Sequence, residues 1–142
     1  MYLEYKEFHS FIAYLLLAVL VLSIILNGLA WIRKKPHTKI NRRISVLALV
    51  LVLTQLTMGI LLYFLSPLGI SNFSGEAMKN ATSRLFLVEH PLMMIIGIAV
   101  VIFGFINASA SKNDHQKNKK MTILFGIGLI LILSRIPWSI WF

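Results

Sequence analysis

The sequence predicts an all-α integral membrane protein, with four transmembrane helices in an up-down-up-down bundle and both ends on the non-cytoplasmic side. Three observations lead there. Hydrophobic residues make up 58% of the 142 positions and charged residues only 13%, about half the charged share of a soluble domain. The apolar residues fall into four blocks of 22 or 23 residues: Ser10–Ile32, Ile44–Leu65, Leu85–Ile106 and Met121–Phe142. Ten of the fourteen Lys and Arg lie in the connections after the first and third blocks, which the positive-inside rule puts in the cytoplasm.

Each block is long enough to span. At about 1.5 Å per residue it covers roughly 33 Å, the thickness of the hydrocarbon core with slight tilt. Backbone groups in lipid must be satisfied within the segment, so the blocks are expected as helices. Helix 1 is expected at about 10–32. Its flank carries Glu4 and Glu7 against Lys6, and the block ends in basic residues rather than a small-residue cleavage site, so it reads as a retained helix and not as a signal peptide. The connection Arg33–Arg43 holds six basic residues and no acid.

Helix 2 is expected at about 44–65, closed by Ser66-Pro67. The next connection, Ser66–Arg84, is longer. Within it Ser74–Ser83 has the signature of a short interfacial helix, capped by Ser74 with Glu76 in its first turn. Helix 3 is expected at about 85–111 and helix 4 at about 121–142. Between them Asn107–Lys120 holds four basic residues and Asp114 as the lone acid. The short basic connections make two antiparallel hairpins, with no motif repeated between them, so residues 1–142 read as a single membrane domain.

The net charge of +9 is therefore a topological signal, with the basic loops against anionic headgroups. No aromatic interleaving or binding fold accompanies it, and nucleic acid is not an expected partner. Aromatic residues gather where interfaces are expected: Tyr2, Tyr5, Phe8 and Phe11, then Trp31, then Tyr63 and Phe64, and finally Trp138, Trp141 and Phe142. The sequence has no cysteine, which excludes disulfides, iron–sulfur clusters, thiolate metal sites and c-type haem, but leaves histidine-held haem open. It also lacks His-Glu-x-x-His, Gly-x-Ser-x-Gly and Walker motifs, so no hydrolytic role and no catalytic residue is assigned.

Topology sorts the four histidines. His37 and His115 fall among lysines in the inner loops and read as solvated surface. His9 and His90 fall near the outer face. His9 lies 24 residues from Arg33 and His90 lies 22 from Lys112, a difference of about 3 Å in depth. Two imidazoles at one level are what the axial positions of one haem require. Met93, Met94, Gly97, Val101 and Gly104 follow His90 at helical spacing, and Gly97 with Gly104 could open a groove for a flat macrocycle. Close packing through small residues is the plainer reading of the same glycines. Glu89 sits beside His90, and a carboxylate there with His9 and His90 would be a 2-His-1-carboxylate set, although neighbouring helix positions diverge by about 100°.

Arg84, Arg135 and Lys79 also lie at the outer end. They could hold haem carboxylates, or Glu89 and Arg135 could pair with each other or snorkel. In helix 2, Thr54, Gln55 and Thr57 form a polar notch with Met58 and Gly59 beside it, suited to interhelical hydrogen bonds or to contact with quinone or haem.

Several short motifs stand in a particular order along the chain. They are His9-Ser10, Lys35-Pro36 with Lys39 and Asn41, Gln55-Leu56-Thr57-Met58-Gly59-Ile60 running on to Ser66-Pro67, Met78-Lys79, Arg84-Leu85-Phe86, Glu89-His90, Lys119-Lys120 and Ile136-Pro137-Trp138. In these the chain resembles a family of small bacterial four-helix membrane proteins described as cytochrome-b-like, over nearly its whole length. The family tends to carry an Arg-Trp pair soon after the His-Ser; here Ile12-Ala13 follow Phe11.

The resemblance implies one b-type haem between helices 1 and 3 with His9 and His90 as ligands, in the bacterial inner membrane. The expected function is single-electron transfer, an electron carrier rather than a bond-making enzyme, with a quinone or redox protein as partner and a homo-oligomer or larger complex left open. The rival expectations are a non-catalytic membrane subunit or assembly factor whose polar residues are structural, and a small transporter using Glu89 as a proton or cation site.

Overall fold

A computed structural model describes residues 1–141 and is helical throughout. Its elements are α1 (Tyr2–Ile32), α2 (Lys39–Leu65), a 3-10 turn (Ile70–Asn72), α3 (Gly75–Lys79), α4 (Ala81–Arg84), a π-helical turn (Leu85–Glu89), α5 (His90–Ser109), α6 (Asp114–Ser134) and α7 (Trp138–Trp141). Three stretches are long and apolar enough to cross a membrane: Tyr2–Ile32, Lys39–Asn72 and Ala81–Ser109.

The long helices begin and end where local chemistry dictates, and this corrects the expected boundaries. The first starts eight residues earlier than expected, because the polar flank Tyr2–His9 continues the helix with Glu4 in the first turn. It ends in a Schellman motif: Lys35 N–H bonds the Ala30 carbonyl at 2.8 Å and Lys34 N–H bonds Trp31 at 3.2 Å. The left-handed position falls to Lys34, at φ 54°. The second starts at Lys39 rather than 44 because Thr38 caps it, its hydroxyl accepting from Asn41 N–H. Likewise α6 starts at Asp114 rather than 121, under the Asn113 side chain.

At its far end α6 stops at Ser134 rather than reaching 142. Pro137 disfavours helical geometry at Ile136, and the chain breaks before the single turn of α7. Phe142, the expected end of helix 4 and part of the aromatic belt, lies outside the described residues. The short helix expected over 74–83 is two helices. Ser74 caps α3, accepting from Ala77 N–H at 3.0 Å, with Glu76 in the first turn. Asn80 then ends α3 and caps α4.

The π-helical turn has a cause in the sequence. In a regular helix the N–H of residue 91 would bond the carbonyl of Leu87, but Pro91 has no N–H and its ring crowds that carbonyl. The helix widens, His90 N–H reaches back to Leu85 O, and the Tyr63 hydroxyl donates to the freed Leu87 carbonyl at 3.0 Å. This places His90 at the junction of the π-turn and α5, with Tyr63 of α2 clamped against it.

Neighbouring long helices run antiparallel. Contacts join α1 to α2, α5 to α6, α1 to α6 and α2 to α5, the α5–α6 seam being the most extensive. Leu16, Leu20, Ala48, Val52, Ile98, Val101 and Phe125 form the buried centre. Around it large apolar side chains face outward along the whole length, among them Ile25, Ile95, Phe103 and Ile130. In water so extensive an apolar surface would aggregate; in lipid it is the ordinary outer face. Tyr2 and Trp141 share one end, the terminal end; the basic connections share the other, the basic end.

Candidate functional site

A cavity of about 650 Å³ opens at the terminal end, within the roughly 300–1,000 Å³ of small-molecule and cofactor sites. Its walls come from α1, α2, the π-turn, α5, the last turn of α6 and α7, and are mostly apolar: Ala13, Leu16, Leu56, Phe86, Leu87, Ile132 and Trp141. The break at Pro137 helps to make it, since α7 turns back to α1 and Trp141 stacks on Tyr14 with ring centroids 4.5 Å apart.

His9 and His90 both line this cavity, from different helices. His90 donates its Nδ1–H to the carbonyl oxygen of Arg135 at 2.7 Å. In the neutral ring that bond leaves the lone pair on Nε2. His9 has its Nε2 within 3.2 Å of the Gln55 amide. Its Nδ1 is buried without a partner, as is the Gln55 oxygen. Turning the amide over exchanges which group donates but does not give Nδ1 a partner. Each imidazole is thus held through one nitrogen while the other is uncommitted, the arrangement of histidines that ligate a metal. The His9 ring lies beside Gly59, where a Cβ would stand in ordinary contact, 3.5 Å from its Cε1.

The polar notch of α2 divides. Gln55 turns inward to His9, whereas the Thr54 and Thr57 hydroxyls bond back to Val50 and Leu53 of their own helix.

The other expected site residues lie elsewhere. Gly97 and Gly104 do not line the cavity. A Cβ on Gly97 would stand 2.9 Å from Ile132 Cγ1, and one on Gly104 would stand 2.6 Å from Leu124 Cβ. The groove expected beneath His90 is filled by α6, and close helix packing is the role of these glycines. Arg84, Arg135 and Lys79 do not line it either. Arg84 Nε contacts Glu89 at 3.0 Å and Arg135 Nε contacts the other Glu89 oxygen at 3.7 Å, so one carboxylate bridges two guanidinium groups. Lys79 pairs with Glu76 at the surface.

Glu89 is engaged by these arginines, and among the described residues no three His, Asp or Glu side chains come together as a metal cluster. The cation that does line the cavity is Lys6, one helical turn before His9. Its spacing from His9 is legible in the sequence and is the signal that could have found it.

At the basic end His37 is not free surface. Its Nδ1–H donates to the buried Asn118 side chain at 2.7 Å, and Asn118 donates in turn to the Lys35 carbonyl. His115 is exposed, as expected. A buried cluster that no sequence motif marks joins α1 to α2, with Asn27 donating to the Ser23 carbonyl and to the Ser45 hydroxyl.

No protein-family model matches the chain, and no curated protein or solved structure matches it.

Proposed function

We propose that this protein binds one b-type haem in the terminal-end cavity and carries single electrons, as its resemblance to the cytochrome-b-like membrane proteins implies. The observation that carries the reading is the pair His9 and His90: two imidazoles from separate helices, on one cofactor-sized apolar cavity, each with one nitrogen held and one uncommitted. The orphaned Nδ1 of His9 is the fit test, since a buried polar atom without a partner costs about 1–3 kcal/mol unless something in the site satisfies it.

When bound, the haem would supply a one-electron redox centre whose potential follows from ligation, burial and nearby charge. The protein's own residues do the rest. His9 and His90 bind. Gln55 and the Arg135 carbonyl orient the rings. The apolar wall excludes water, and Lys6 offers a charge for a carboxylate at the rim. The apolar walls also suit a quinone or the apolar face of a redox partner.

The proposal extends to the membrane. The 21 residues of α6 rise roughly 32 Å, enough for a fourth crossing if Lys117, Lys119 and Lys120 snorkel to the interface. The four long helices then form an up-down-up-down bundle with both termini outside and both basic connections in the cytoplasm of a bacterial inner membrane.

An absorbance spectrum of the purified protein tests the function. A Soret band that shifts on reduction is expected. A colourless protein, isolated from cells replete in haem, overturns it. The Glu89 bridge favours a second reading, a non-catalytic membrane subunit held by a structural polar network, and that reading takes over in the colourless case.

A further inference from the structure

Three cations at the basic end stand apart from the candidate haem site. Lys39 and Arg42 of α2 and Lys117 of α6 line a second cavity, of about 150 Å³, with His37 and Thr38 at its rim. Lys39 and Arg42 are three residues apart on one helix and share a face. Among the described residues no ion pair or side-chain hydrogen bond involves any of the three. Asp114, the lone acid of the two basic connections, is exposed and does not line the cavity.

Like charges gathered around one cleft repel each other and focus a positive potential into it. The rim is also fixed in advance, because Asn118 ties the His37 ring and the Lys35 carbonyl of the connecting loop to α6. Below the cations the lining turns apolar, with Phe105, Ala108 and Met121. A ligand that matches this order has an anionic head and an apolar body. The volume suits a single phosphate group rather than a cofactor, which needs roughly 300 Å³ or more. Arg offers a fork and Lys a point charge to phosphate oxygens.

We infer that this cavity binds the phosphate of an anionic phospholipid headgroup, with Lys39, Arg42 and Lys117 on the phosphate oxygens and the glycerol and acyl chains leaving its mouth past Phe105. The site is independent of any haem at the opposite end. Its recognition chemistry is that of a phosphate, and a free phosphate ion is the other source of the same group. The apolar lining beneath the cations selects the lipid.

The test is retention of phosphatidylglycerol by the full-length protein, followed by native mass spectrometry as the lipid is titrated, with phosphatidylcholine as the neutral comparison. Wild type should prefer phosphatidylglycerol. The triple variant Lys39→Gln, Arg42→Gln, Lys117→Gln should weaken that binding by roughly tenfold or more, since it removes the direct charge-assisted contacts to the phosphate oxygens. A control triple, Arg33→Gln, Lys34→Gln, Arg43→Gln, removes equal charge from exposed positions outside the cavity and should change binding by less than about twofold. Lys39→Arg with Lys117→Arg should retain it. Helicity and melting in phosphatidylcholine vesicles establish that each variant is folded, and Arg42→Gln alone serves if the triple is not. Equal losses in the two triples, no preference in wild type, or displacement of phosphatidylglycerol by inorganic phosphate at equal concentration would each overturn the lipid site.

Discussion

The Nδ1–H of His90 is bonded to the backbone carbonyl of Arg135 at 2.7 Å, so the first residue of α5 holds the residue at which α6 ends. That carbonyl belongs to the C-cap residue of α6, one of the acceptors at a helix end that lack an intrahelical partner. The bond satisfies one of them and fixes the histidine tautomer in the same stroke.

Because the acceptor is backbone, the Arg135 side chain is dispensable for it. Arg135→Gln should leave His90 with a protonated Nδ1 and a bare Nε2, as in the parent. Nitrogen chemical shifts of labelled histidine in cofactor-free protein would report this. A His90 ring that changes tautomer in Arg135→Gln would show that the guanidinium, not the carbonyl, sets its state.

Glu89 bridges Arg84 and Arg135, but all three side chains are more than a third exposed, at 34%, 39% and 46%. Exposed pairs contribute about 0.2–1 kcal/mol, so Glu89→Gln should lower stability by less than about 1 kcal/mol. Glu89→Lys places three cations together and should cost more. Thermal unfolding in detergent separates the two variants, and equal melting temperatures would show that the bridge contributes nothing.

Much of this arrangement was legible in the sequence, and the misses share a cause. Hydropathy marks where a helix meets lipid, not where its hydrogen bonds begin. The polar turns Tyr2–His9 and Asp114–Lys120 therefore carry no hydropathy signal, although Asn113 is a recognisable cap. The Ser74 cap is legible in the sequence because its chemistry is local. His90 and Arg135 were both singled out, but their bond runs through a main-chain oxygen that no residue pattern displays. Gly97 and Gly104 admit both a cofactor groove and plain close packing in the sequence, because the register of α6 against α5 is invisible there; that register puts Ile132 and Leu124 over them. His37 and Asn118, 81 residues apart, met for the same reason.

The α5–α6 seam can be probed directly. A Cβ on Gly128 would stand 2.5 Å from Val101 Cγ2 and 3.0 Å from the Gly97 carbonyl, whereas one on Gly126 meets nothing within 4 Å. Overpacking costs about 1–3 kcal/mol, while Gly to Ala on an open helix face gains up to about 1 kcal/mol. Gly128→Ala and Gly97→Ala should therefore lower the melting temperature, and Gly126→Ala should hold or raise it. Equal behaviour at positions 126 and 128 would mean that the helices do not approach as closely as described.

The proposed sidedness rests on the ten-to-four split of basic charge. With no native cysteine, Ser74→Cys and Lys117→Cys each present a single thiol. An impermeant maleimide added to intact cells should label position 74 and reach position 117 only after lysis. Labelling of 117 from outside would invert the proposed topology.

The proposed ligand pair is tested by comparing five single variants for haem content and reduced-minus-oxidised spectra. His9 and His90 line one cavity from two helices, so each should be required on its own. His9→Ala and His90→Ala should each lose the low-spin spectrum, and with it most of the haem. His115→Ala, at an exposed position, should match the parent in spectrum and melting. His37→Ala should keep the spectrum but melt earlier, since it removes a hydrogen bond to buried Asn118 worth about 0.5–1.5 kcal/mol. Gln55→Leu provides the remaining discrimination. It removes the group that holds the His9 Nε2 without touching the uncommitted Nδ1, so haem should bind with a shifted midpoint potential rather than be lost. Normal haem content after loss of either His9 or His90 would release that helix from the site and leave the other histidine as sole ligand.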